Sequence, residues 1–147
     1  MKTILLVEDN SNDIELALEV LADEDFAQDI IVVKDGQQAL DFLKRSGLHA
    51  DREPGNPILM MLDLKLPRID GLEVLRRVKS DPSLMSIPIV MLTSSREPAD
   101  LQSSYGLGAN AYVVKPVDFD HYSETLKAIG TFWTNTNQPP PEPVLFV

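Results

Sequence analysis

The chain has 147 residues, 44% of them hydrophobic, which is near the usual size of a single domain and enough for one core without crosslinks. It has no cysteine, so disulfide frameworks and thiolate metal sites are excluded, and a cytoplasmic location is expected. With 23 acidic against 13 basic residues the net charge is −10, which opposes direct binding to nucleic acid or to an anionic membrane surface.

The opening Met1 to Val7 has an apolar stretch but meets Glu8-Asp9 too soon to be a signal peptide or a membrane span, and Thr3 to Val7 reads instead as a buried strand. Further strands are expected at Asp29 to Val33, Ile58 to Leu62, Ile89 to Thr93 and Ala111 to Val114. Most are apolar at consecutive positions, as in parallel strands covered on both faces. Between them run stretches of helical period. The first follows Asn10-Ser11-Asn12, with Glu15 three after Asn12 as in a capping box, and aligns Ile14, Ala17, Leu18 and Leu21. The second, after Asp35-Gly36, carries Ala39, Leu40 and Leu43 and stops near Gly47; the third, after Gly71, carries Leu72, Leu75 and Val78.

The fourth helix, about Glu97 to Tyr105, offers little more than Leu101 and Tyr105 as an apolar stripe and is expected to be weakly docked. The fifth, capped by Asp118, lines up Phe119, Tyr122, Leu126, Ile129 and Trp133. The polar stretch Leu48 to Pro57 reads as either a surface binding loop or a tolerated insertion, with the balance toward insertion, and Asn135 to Val147 as a Pro-rich tail after a domain spanning 1–134. The tail's apolar end, Val144 to Val147, must dock either on this domain or on a partner.

Alternating strands and helices predict an α/β fold with an open parallel sheet, where ligands bind at the carboxyl ends of the strands. Glu8-Asp9, Asp63, Thr93 and Lys115-Pro116 all fall there. Carboxylates crowded at one edge repel unless a cation compensates, and Mg²⁺ suits Asp9 and Asp63 with the backbone carbonyl of Lys65, leaving positions for water and phosphate. A carboxylate beside such an ion can attack a phosphoryl donor, with Lys115 neutralising the phosphoryl oxygens and the Thr93 hydroxyl donating to the group once it is in place. Taken singly, each of these residues reads as surface or turn; their joint placement carries the chemistry.

The motifs Val7-Glu8-Asp9-Asn10, Leu62 to Glu73 (LDLKLPRIDGLE), Met91 to Ser95 (MLTSS) and Ala109 to Pro116 (ANAYVVKP) resemble, in order, those of the response-regulator receiver family. The resemblance implies a doubly wound, flavodoxin-like (βα)5 fold of strand order 2-1-3-4-5. It makes Glu8 and Asp9 the acidic pair holding Mg²⁺, Asp63 the phospho-acceptor, Thr93 the switch hydroxyl, Tyr112 the switch aromatic and Lys115 the phosphate-contacting lysine. It places Pro67 and Gly71 in the loop after the acceptor and implies a cis peptide before Pro116. Asp13 and Asp70 are read as surface or capping residues.

The chain ends soon after the fifth helix, so output is expected to pass through protein contacts, including a homodimer through the fourth-helix, fifth-strand and fifth-helix face. The long loop before the third strand, Phe132-Trp133 and the Pro-rich tail are most similar to the small regulators of cyanobacterial phytochrome-type sensor histidine kinases. A switch rather than an enzyme is expected. A phosphohydrolase with an aspartyl intermediate would want an acid where Lys65 stands, and a nucleotide or flavin domain would want a Gly-rich loop where Glu8-Asp9 stand. A phosphorylation-independent interaction module on the same scaffold is the remaining alternative.

Overall fold

The computed structural model describes residues 2–23 and 29–141; the apolar end of the tail lies outside them. Five parallel strands, β1 (Thr3–Val7), β2 (Asp29–Val33), β3 (Leu59–Leu62), β4 (Ile89–Thr93) and β5 (Ala111–Val114), form one sheet of order β2-β1-β3-β4-β5. They alternate with α1 (Ser11–Asp23), α2 (Gly36–Lys44), α3 (Gly71–Lys79), α4 (Pro98–Gly106) and α5 (Phe119–Thr131). Every residue of β1, β3 and β4 is buried, whereas β5 is half-buried throughout and β2 begins exposed, because these two strands form the sheet's edges.

The twofold alternation of side chains along a strand divides the core into two halves. Leu5, Val7, Met60, Leu62, Ile89 and Met91 point to one face, where Leu40 and Leu43 of α2 and Val74, Leu75 and Val78 of α3 cover them. Ile4, Leu6, Leu59, Met61, Val90 and Leu92 point to the other, under Ala17, Val20 and Leu21 of α1 and Tyr122, Leu126 and Ile129 of α5. Consecutive apolar residues are thus the mark of a strand that must satisfy both layers at once.

Several local expectations need correction. Asn10 rather than Asn12 caps α1: its Oδ1 accepts the amides of Asn12 (3.0 Å) and Asp13 (3.1 Å). The buried stripe of α1 includes Leu16 and Val20, and Leu18 is 36% exposed. In α5, Phe119 is also exposed, since it sits in the first turn beyond the sheet, while Trp133 is partly buried against the α1/α5 core. The second helix ends at Lys44, where Arg45 turns left-handed (φ 56°), two residues before Gly47.

The stretch after α2 is held by Arg52, whose guanidinium lies 4.2 Å from the Phe42 ring and donates to the α2 carbonyl of Phe42 (2.6 Å). It also donates to the carbonyls of Glu53 and Gly55. One side chain thereby satisfies both the helix end and the loop folded over it. A π-helical turn at Phe132–Thr136 continues α5 past residue 134, and Pro139, Pro140 and Pro141 line a groove with Lys2, Ile58 and Ile87 at the amino-terminal edge of the sheet.

Candidate functional site

Strand register assembles the site. Val7 pairs with Leu62, so Glu8 and Asp63 each stand one residue past a paired position on neighbouring strands. Thr93 pairs with Val114, so Lys115 stands one past that pair. The three positions share an edge because parallel strands end together at their carboxyl termini. The loop after Asp63 is pinned by two close approaches. A Cβ on Gly71 would lie 2.0 Å from the Asp63 carbonyl oxygen, and one on Gly36 would lie 1.9 Å from that of Ile69. Only glycine lets α2 and α3 start so near this loop.

Glu8, Asp9 and Asp63 bring carboxylate oxygens within 4.8 Å of one another. Glu8 and Asp63 are buried, at 3% and 9% exposure, while Asp9 is exposed at the mouth. Burial pushes the Glu8 carboxyl up to about 7, the neighbouring Asp63 charge adds to this, and the hydrogen bond from Lys115 opposes it. Lys115 reaches in from the edge strand, and its ammonium donates to Glu8 (2.8 Å), Asp13 (2.8 Å) and Asp63 (3.3 Å). Burial works against its charge, yet the bonds to Asp13 and Glu8 outweigh burial and raise its pKa above the ordinary lysine value.

One lysine charge does not balance this set of carboxylates, and hard oxygen donors at this spacing suit a hard divalent cation. The residues present fit such an ion: Glu8, Asp9 and Asp63 would hold it. Lys65 is exposed at the rim of the same cleft, which has a volume of about 840 Å³.

Thr93 is buried, and its Oγ1 accepts the amide of Ser95 (3.2 Å), so Ser94 rather than Thr93 lines the cleft. Tyr112 is half-buried with its hydroxyl donating to the Ser95 carbonyl (3.0 Å). Both side chains therefore grip the loop between β4 and α4. The Lys115–Pro116 bond is trans, since no cis peptide occurs among the described residues, and this corrects the cis bond implied by the resemblance. The two isomers of an X–Pro bond differ by only about 0.5–1 kcal/mol, and the trans form already delivers the Lys115 ammonium to the carboxylates.

Asp13, read from the sequence as surface or capping, is part of the site. The usable signal was the cap itself. With Asn10 as N-cap, Asp13 is the third helical residue, whose carboxylate normally reaches back to the cap amide. Here Glu8 Oε1 accepts from that amide (3.1 Å), and Asp13 is free to turn to Lys115.

Residues 4–127 match the response regulator receiver domain family. The chain belongs to that family. It is 38% identical over 135 residues to the response regulator Rcp1 of Synechocystis sp., covering 92% of this chain and 90% of Rcp1. The crystal structure of the Mn²⁺-bound form of Rcp1 superposes with a TM-score of 0.90 at 37% identity, over 96% of this chain and 100% of that one. The phosphorylated cyanobacterial phytochrome response regulator RcpA gives 0.90 at 39% identity, over 95% and 99%. The bacteriophytochrome response regulator RtBRR gives 0.76 at 52% identity, over 96% and 85%. The five-stranded order β2-β1-β3-β4-β5 is the receiver fold, and this receiver domain is a signalling protein of phosphorylation-based two-component type. No helix among the described residues is long and apolar enough to cross a membrane.

Proposed function

We propose that Asp63 accepts a phosphoryl group from the phosphohistidine of a sensor histidine kinase in a Mg²⁺-dependent reaction. The observation that carries this reading is the buried Asp63 carboxylate set between two further carboxylates and the ammonium of Lys115. An Asp63 oxygen attacks phosphorus, the phosphorus–nitrogen bond of the donor breaks, and the imidazole leaves with the bonding electrons. The bound cation would neutralise charge on the phosphoryl oxygens. Lys115 donates to one of those oxygens and holds it in place. Glu8 and Asp9 would hold the cation with Asp63, and Lys65 would contribute its backbone carbonyl.

The Thr93 hydroxyl accepts in the present state and keeps its own proton to donate, so a phosphoryl group on Asp63 offers it a new partner. Breaking its bond to the Ser95 amide releases the loop that Tyr112 also holds, which couples the chemistry to α4 by population shift. The product is an acyl phosphate that water hydrolyses, so the domain is a self-resetting switch rather than a metabolic enzyme.

The likeness to RcpA and RtBRR supports a phytochrome-type kinase as donor, and the cysteine-free composition supports a cytoplasmic location. The half-buried β5, together with Tyr105 at 53% exposure on α4, supports self-association through the α4/β5/α5 face. The net charge of −10 supports protein rather than nucleic-acid targets.

Intact mass after incubation with acetyl phosphate, with Mg²⁺ or chelator, tests the reading on the wild type and on Asp63→Asn. One added phosphoryl group that needs both Mg²⁺ and Asp63 is expected. No addition under any condition would leave the interaction-module alternative in its place.

A further inference from the structure

The Lys115 ammonium has three protons to donate, and three carboxylates take them. The contacts to Glu8 and Asp13 are 2.8 Å, and the one to the reacting residue, Asp63, is the longest at 3.3 Å. No proton is left over for an incoming group. Glu8 belongs to the carboxylate cluster that fits a cation, whereas Asp13 does not. Lys115 donates to the Asp13 carboxylate at the shorter of its contact distances. Its helix-capping duty is discharged by Glu8 and Asn10.

We infer that Asp13 is a positioning residue that competes with the phosphoryl group for the Lys115 ammonium and so shortens the life of the phosphorylated state. The inference rests on the phospho-acceptor reading above. A phosphoryl oxygen on Asp63 takes over the proton now shared with Asp63 at 3.3 Å, and shortens that contact only as the ammonium swings toward it and away from Asp13. The Asp13 charge, on the first turn of α1 beside the cleft, also repels the anionic group. Both effects act in the same direction.

The test is binding of beryllofluoride, a phosphoryl mimic, in saturating Mg²⁺ by calorimetry, on the wild type, Asp13→Asn and Asp13→Ala. Thermal melts confirm folding, which the 25% exposure of the Asp13 side chain favours. Binding about three- to tenfold tighter in either folded variant is expected. A parallel lengthening of the acyl phosphate lifetime, followed by intact mass, is also expected. A purely structural role for Asp13 would lower the melting temperature without tightening the mimic. Unchanged or weaker binding in both variants, with normal binding by the wild type, would overturn this inference and leave the phospho-acceptor reading standing. Failure of the wild type itself to bind would overturn both.

Discussion

Helices α3 and α4 are neighbours of equal length, nine residues each, yet they are held in different ways. α3 buries Gly71, Val74, Leu75 and Val78, and Asp70 caps it by accepting the Glu73 amide at 3.0 Å. α4 buries only Ser104, and its N-cap residue Glu97 makes no side-chain cap. The buried Ser104 hydroxyl has no hydrogen-bond partner among the described residues. The helix that follows the Asp63 loop is therefore built as a fixed wall. The helix that follows Thr93 is built with little holding it down, which leaves it the easier of the two to displace.

The largest expected difference comes from core truncation. Leu75→Ala removes a fully buried side chain from the wall and should cost about 2–5 kcal/mol in denaturant unfolding. Leu101→Ala, on the half-buried face of α4, should cost less than about 1 kcal/mol. Equal costs would break the contrast. Removing the α3 cap with Asp70→Ala should cost about 1 kcal/mol by the same measurement.

Ser104→Ala should instead stabilise the protein by up to about 1 kcal/mol, because it removes an unpaired buried hydroxyl and improves helix propensity. A loss on this substitution would mean that the hydroxyl has a partner in solution.

The smallest expected effect lies on the exposed face of α3, where Glu73 accepts from Arg76 and Arg77. The bonds from these arginines lower the Glu73 carboxyl from 4.5 to about 2. A carboxyl lowered in the folded state contributes stability that is present above its unfolded value and is lost as pH falls through the folded one. The gap in melting temperature between wild type and Glu73→Gln should therefore close as pH drops from 4.5 toward 2, and should already be small in high salt.

The weakness of α4 was legible in the sequence because an apolar stripe of two residues cannot bury much of a helix. The strand ends were legible too: four of the five strands have the bounds expected, and β3 begins one residue late, at Leu59. The missed features depend on competition between partners. The capping duty expected of Asn12 and Glu15 went to Asn10 and Glu8, and with that shift Asp13 turned from the helix end to Lys115. Local spacing names the candidates for a cap; it does not rank them against a buried lysine arriving from residue 115. In the same way, Phe119 fits the period of α5 but lies beyond the layer that the sheet can cover.

By itself the sequence determined the order of elements, the parallel sheet and the set of residues at its carboxyl edge. These follow from short-range periodicity and from the rule that parallel strands end together. Only the tertiary structure decided which carboxylates share Lys115, that Thr93 lies beneath the cleft rather than lining it, and that Arg52 clasps the end of α2. Those choices are set by distances between groups far apart in the chain, where a few tenths of an ångström and the burial of a charge select one partner over another.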